Sequence, residues 1–177
     1  MVVKITYMVH GTTQDNIDHL ASGHNDIELS KRGIREGREL GYKREDKFDV
    51  IITSDLKRAI DTAKLAFDGR CPHIQDARIR ECDYGDLTQK PKDWSIADFI
   101  NQKYPNGESY LDVQRRITSF LQYLKENYNG KHVGLVAHQA PQLALDVLIK
   151  GMSWNKTIAK DWRNTKSWQP GWEYTLN

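Results

Sequence analysis

Four residues far apart in this chain have the types that one reaction needs. His10 and His138 each stand just past an apolar run, Val2 to Val9 and His132 to Ala137. Arg58 follows the run Phe48 to Ser54, in what reads as the first turn of a helix, and Glu81 follows the extended stretch Pro72 to Arg80. Two imidazoles, a guanidinium at a helix start and a carboxyl group suit phosphoryl transfer through a covalent phosphohistidine. A neutral imidazole nitrogen is a competent nucleophile near neutral pH. The moving phosphoryl group spreads charge over its outer oxygens, which Arg58 and His138 are expected to hold. The leaving alkoxide needs a proton, and a carboxylic acid with a raised pKa can give it; Glu81 is the candidate. Gly11, Thr12 and Thr13 beside His10 allow close approach and offer hydrogen bonds. No cysteine–histidine cage points to a catalytic metal and no glycine-rich nucleotide loop is present, so no cofactor is expected.

Taken singly, each residue has an ordinary reading. His10 is then an incidental turn residue, and Arg58 a surface arginine in a helix that also carries Lys57 and Lys64. The elements that must position them weigh against this. Val2–Val9, Phe48–Ser54 and His132–Ala137 read as buried strands, separated by helices. Ser30 is a plausible N-cap of a helix that Gly41 ends, with a thin apolar stripe of Ile34 and Leu40. Ser54 or Asp55 can cap a helix from Leu56 to Phe67. Ser109 with Asp112 forms a capping-box-like pair before the longest helix, striped by Leu111, Ile117, Phe120, Leu121, Leu124 and Tyr128. Pro141 suits the first turn of a helix from Gln139 to Lys150, closed by Gly151. Strands alternating with helices imply βαβ units and a mostly parallel sheet, whose carboxyl ends share one side. His10, Ser54-Asp55 with Arg58, and His138 would then face one crevice.

Other segments are plainer. Gln14 to Glu28 reads as loop, with His19 and His24 as surface histidines. Leu87 to Gly107 is polar, anchored by Trp94, Phe99 and Tyr104, and reads as a cap-like insertion around 87–107 over the crevice mouth within a single domain, 1–177. Asp93 or Ser95 starts a short helix there. The tail from Trp154 carries Trp154, Trp162, Trp168 and Trp172, and Trp172 to Leu176 fits a last strand at the sheet edge.

At 177 residues the chain can bury a real core. Its 26 Lys+Arg against 24 Asp+Glu leave a formal charge of +2 with both signs interspersed, which argues against a nucleic-acid binder. No apolar stretch approaches a membrane span and the amino end lacks a signal-peptide pattern. Cys71 and Cys82 have neither disulfide-framework nor zinc-knuckle spacing, so a reducing cytoplasm is expected, with Cys82 a small structural residue. A small phosphorylated substrate or inorganic phosphate is the expected partner, on a monomer or homodimer.

Six segments in order resemble the histidine phosphatase superfamily, phosphoglycerate-mutase-like branch. They are Tyr7-Met8-Val9-His10-Gly11-Thr12-Thr13 with Asn16; Leu29-Ser30-x-x-Gly33; Ser54-Asp55-Leu56-Lys57-Arg58-Ala59 with Thr62-Ala63; Arg80-Glu81-x-x-Tyr84-Gly85; Pro105-x-Gly107-Glu108-Ser109; and Val136-Ala137-His138. The resemblance implies an α/β fold, a three-layer αβα sandwich with a mostly parallel central sheet. It implies His10 as the phosphorylated nucleophile, Arg58 and His138 gripping phosphoryl oxygens, and Glu81 as proton donor and then base. Asn16, Thr13 and Gly11 would complete the phosphate pocket, and Gln139 would donate from the helix start. One position departs from the pattern. The family places an arginine immediately before the nucleophile, where Val9 stands here. Losing such a bidentate donor from a dry site costs about 10²–10³ in rate by analogy with oxyanion-hole deletions. Lys31, Arg32 and Arg80 lie near site segments in sequence and are the candidates to replace it. Three readings follow. The first is a phosphatase acting on a small phosphomonoester. The second is a weakly active or inactive phospho-ligand binder on the same fold. The third is an unrelated α/β domain that binds a partner through its Trp-rich tail, and within the family a mutase, which needs more cap and tail than this short chain offers, is expected less than a phosphatase.

Overall fold

The computed structural model describes residues 1–167 and 169–177, so Trp168 of the tail's tryptophan set lies outside the described residues. The strands β1 (Val3–Val9), β2 (Val50–Thr53), β3 (His73–Gln75), β4 (His132–Ala137) and β5 (Trp172–Leu176) form one sheet in the order β3-β2-β4-β1-β5. The first four are parallel, and β5 runs antiparallel on β1 at the edge. The helices are α1 (Gln14–Ile17), α2 (Lys31–Lys43), α3 (Lys57–Phe67), α4 (Tyr110–Asn127), α5 (Gln139–Lys150), α6 (Trp154–Ala159) and α7 (Trp162–Thr165).

The central strands are apolar on both faces, as a sheet covered on both sides requires. Ile5, Tyr7, Val50, Ile52, Val133 and Leu135 pack with Ile117, Phe120 and Leu124 of α4 and with Leu143 and Ala144 of α5. Alternate residues Met8, Ile51 and Val136 point the other way, onto Leu40 of α2 and Ala63, Ala66 and Phe67 of α3. This is the expected three-layer sandwich. Register then sets the height of each strand end. Val9 pairs with Ala137 and Thr53 with Val136, so His10, Ser54 and His138 leave three adjacent strands at nearly one level.

Four local expectations change. Gly41 is inside α2, whose C-cap is Arg44. A Cβ on Gly41 would lie 2.5 Å from the Ala66 carbonyl oxygen. The glycine is there for close packing of α2 on α3, which also explains the thin stripe. Ser54 and Asp55 do not cap α3. Asp26 Oδ1 instead accepts from Lys57 N–H at 2.6 Å, leaving Ser54 free for His138 and Asp55 for Arg80. A first turn of helix, α1, interrupts the loop after Thr13, and β3 lies inside the stretch from Pro72. Three and four residues are too few for periodicity to show. The Ser109–Asp112 capping box and the left-handed Gly151 cap stand as expected. Ser95 caps a 3-10 turn at Ile96–Phe99.

Among the described residues no helix is long and apolar enough to cross a membrane.

Candidate active site

His10, Arg58, Glu81 and His138 line one cavity of about 310 Å³ at the carboxyl ends of β1, β2 and β4. Each is fixed by bonds that assign its chemistry.

His10 sits at the end of β1, its ring centroid 5.0 Å from that of His138. Its Nδ1 lies 2.7 Å from the Gly11 carbonyl oxygen. A carbonyl only accepts, so Nδ1 carries the proton and Nε2 keeps its lone pair. Burial, followed by the Arg58 charge, lowers His10 to about 3. The ring is therefore neutral near pH 7 and nucleophilic at Nε2. Gly11 is held in turn. Its N–H donates to Thr62 Oγ1 at 2.9 Å, and Thr62 donates to the Arg58 carbonyl at 2.7 Å. A Cβ on Gly11 would meet the Gly33 carbonyl oxygen at 2.5 Å, and one on Gly33 the Thr12 carbonyl oxygen at 2.1 Å. The Leu-Ser-x-x-Gly element is thus a close crossing of α2 under the nucleophile loop, pinned further by Ser30 Oγ donating to the Thr12 carbonyl at 2.8 Å.

His138 is 1% exposed. Tyr7 on β1 braces its backbone both ways, donating to its carbonyl at 2.7 Å and accepting from its N–H at 3.0 Å. Ser54 Oγ lies 2.7 Å from His138 Nε2 and accepts from Leu56 N–H at 3.3 Å. Among the described residues Nε2 is the one acceptor the Ser54 hydroxyl meets, and giving its proton there places the imidazole proton on Nδ1. Burial, with the Arg58 and His10 charges behind it, holds His138 well below its ordinary value. His138 Nδ1 is buried with no protein partner.

Arg58, also 1% exposed, spends one proton of each Nη on a carbonyl, Asn25 and Gly23, both at 2.8 Å. Its Nε is buried and unpartnered. An unsatisfied buried donor costs about 1–3 kcal/mol. Two of them, on residues that line the cavity beside His10, mark where an oxyanion gains most.

Glu81 accepts from Cys82 N–H at 2.8 Å and Ala140 N–H at 3.0 Å through Oε1, and from Gln139 N–H at 3.1 Å through Oε2. Burial would raise its carboxyl. The Lys92 charge, the Cys82 and Ala140 bonds and the Arg58 charge outweigh that and hold it below the ordinary value. This corrects the expectation of a raised pKa. Without a ligand Glu81 is a carboxylate, because the start of α5 and the cavity cations stabilise the charge.

The accessory residues divide. Asn16 lines the cavity, its Oδ1 occupied by Thr13 N–H at 2.9 Å. Thr13 and Gly11 do not line it. The Thr13 hydroxyl caps α1 by accepting from Asn16 N–H at 3.2 Å, so it holds Asn16. Gly11 orients His10 and borders a second, adjoining cavity of about 370 Å³. Gln139 lines the first cavity, but its backbone N–H goes to Glu81 and its side chain bridges Lys92 and Asp161. Helix geometry turns these donors onto protein acceptors rather than toward a ligand.

None of the three cations near in sequence lines this cavity. Arg80 is bidentate on Asp55 at 2.7 and 2.6 Å, Arg32 pairs with Glu36 in the second cavity, and Lys31 is exposed. The cations that do line it with Arg58 are Lys92 and Arg163. Lys92 donates to Tyr84 Oη at 3.1 Å and Gln139 Oε1 at 2.9 Å. Arg163 stacks 4.5 Å from the Trp162 ring and pairs with Asp161 at 2.9 Å. Sequence reading missed both, and it placed Tyr7, Ser54 and Thr62 in motifs without finding the bonds they make. A serine closing a strand that ends one level from a histidine was the one usable signal. With Glu81 as the carboxylate among the residues lining this cavity, three cations favour a ligand of more than one negative charge.

A family model described as histidine phosphatase superfamily (branch 1) matches residues 6–169. The uncharacterized phosphatase PhoE of Bacillus subtilis (strain 168) is 33% identical over 144 residues, spanning 80% of this chain and 75% of that protein. A 2,3-bisphosphoglycerate-dependent phosphoglycerate mutase of Methylorubrum extorquens (strain PA1) is 32% identical over 170 residues, spanning 85% of this chain and 80% of that protein. The crystal structure of an alpha-ribazole phosphatase from Shigella flexneri superposes with a TM-score of 0.77 at 27% identity, over 87% of this chain and 83% of that one.

Proposed function

This chain belongs to the histidine phosphatase superfamily (branch 1), and on that premise we propose that it hydrolyses a small phosphomonoester through a phosphohistidine at His10. The observation that carries the reading is the pairing of His10, neutral with Nε2 unprotonated, with two buried unpartnered donors, Arg58 Nε and His138 Nδ1. Relatives named as phosphatases support it.

His10 Nε2 attacks phosphorus, and the ester oxygen leaves with its bonding electrons and takes a proton from Glu81. Arg58 and His138 hold the phosphoryl oxygens as charge spreads over them. Glu81 is ionised before substrate arrives, so the ligand must bring the change. A phosphate monoester loses its second proton near pH 6, and its negative charge beside Glu81 pushes the carboxyl up. In the second half, Glu81 takes a proton from water, whose oxygen attacks the phosphohistidine and releases phosphate.

Incubation with a phosphate donor and a brief quench without acid should yield a phosphohistidine at His10 by mass spectrometry. Turnover with no label there sinks the reading.

Lys92 tunes this step. Its charge holds the Glu81 carboxyl down, so Lys92→Met should raise it. A step that needs the carboxylate then loses rate from a higher pH as the solution is acidified. The acid limb of single-turnover phosphoenzyme decay should move upward in pH, and an unmoved limb contradicts this role for Lys92.

Val9 lines the cavity without offering a donor. This favours a second reading, a phospho-ligand binder with little or no turnover. It predicts equal, negligible rates for wild type and His10→Ala with phosphate binding retained.

A further inference from the structure

His24 is half-buried and reads from sequence as a surface histidine, yet its Nε2 lies 2.8 Å from the Glu81 carbonyl oxygen. A carbonyl only accepts, so His24 donates. The residues on either side of His24 do the other half of the work. Gly23 and Asn25 offer the two carbonyls that hold the Arg58 guanidinium, each at 2.8 Å. The loop is itself fixed by Asn25 N–H on the Ser22 carbonyl at 2.8 Å and by Asp26 on the start of α3 at 2.6 Å. Three consecutive residues therefore touch both the phosphate-gripping cation and the backbone of the proton donor.

We propose that His24 is a positioning residue that fixes Glu81 relative to Arg58, so that proton delivery and phosphate grip share one anchor. The inference rests on the phosphohistidine reading above.

The second donor on the Glu81 carbonyl is Arg116 Nη2 at 2.9 Å, which is held by Glu108 at 2.9 and 3.0 Å. That pair ties Glu81 to α4, and His24 ties it to the loop under Arg58. His24 Nδ1 stands 3.9 Å from Asp83 Oδ2. Without His24, Glu81 keeps its three N–H partners and its α4 tie but loses its link to the phosphate clamp. The ester oxygen is gripped through the phosphoryl group, so the slack appears between donor and leaving group.

The distinguishing readout is leaving-group dependence. Nitrophenolate departs without a proton, whereas phenolate, nearly the same shape, gains more from one. His24→Ala should lower kcat/KM for phenyl phosphate about tenfold more than for p-nitrophenyl phosphate, a modest part of what general acid catalysis and alignment supply. Inhibition by inorganic phosphate should stay within about twofold, since Arg58 keeps both carbonyls. His24→Gln, which keeps an N–H donor, should restore the phenyl phosphate rate, and His24→Phe, which keeps only the ring volume, should not. Should His24→Ala lose its fold, the Gln and Phe variants decide between them. Equal losses on both esters, or a Gln variant no better than Phe, overturn the positioning role while the phosphohistidine reading stands. A wild-type protein that turns over neither ester overturns both.

Discussion

His10→Ala is expected to lower phosphomonoester turnover by about 10⁴–10⁶-fold, the range seen when a covalent nucleophile is removed from a site whose other parts remain. His10 Nε2 is the unprotonated, cavity-facing nitrogen that the structure supplies beside the two unpartnered donors. His138 cannot substitute. Its Nε2 is engaged by Ser54 at 2.7 Å and its Nδ1 carries the proton. Residual rate would come from direct attack by water on an ester still held by Arg58 and His138. Phosphate affinity should change far less than turnover, because in the neutral ring Nε2 accepts rather than donates. Steady-state rates with p-nitrophenyl phosphate, alongside phosphate inhibition, measure both. Turnover within tenfold of a clearly active wild type would remove His10 from the mechanism.

Glu81→Gln should cost about 10²–10⁴ in kcat/KM for phenyl phosphate, the usual worth of a general acid, and clearly less for p-nitrophenyl phosphate. The amide cannot give up a proton in the first half-reaction or take one in the second. It also fits its cradle badly. Cys82, Gln139 and Ala140 aim three N–H groups at the two carboxylate oxygens. A glutamine oxygen can serve Cys82 and Ala140, but its amino group then faces the Gln139 N–H, donor against donor. That mismatch in a buried site is worth about 1–3 kcal/mol of stability, read as a lower midpoint in thermal or urea unfolding. Equal rate losses on the two esters would move Glu81 from proton transfer to a structural role. Unfolding and kinetics answer separately, since the first reads the cradle and the second the proton.

Much of this molecule is legible in its sequence. The three central strands and their order of covering helices follow from apolar runs and periodicity, because a sheet buried on both faces needs continuous β-branched stretches. The caps at Ser30, Ser109 and Gly151 follow from hydrogen bonds made within a few residues. The convergence of His10, Arg58 and His138 follows from parallel topology alone, since every strand end lies on one side. Misreadings fall where the deciding contact is distant in sequence. Gly41 packs on Ala66 rather than ending a helix, and Ser54 reaches His138 rather than the helix that follows it.

The sequence by itself determined that His10, Arg58 and His138 meet at the end of a parallel sheet, because those positions depend only on strand direction, whereas Glu81 joined them only as what the chemistry and the family resemblance implied. Tertiary structure alone decided the charge on Glu81, the tautomers of both histidines, and which cations stand with Arg58. Lys92 arrives on an irregular segment beside the packed rings of Tyr84, Trp94 and Tyr104, and Arg163 on the short helix α7. Electrostatics falls off with distance through space and not along the chain. What a carboxyl or imidazole carries at neutral pH is therefore written in its neighbours, and its neighbours are chosen by the fold.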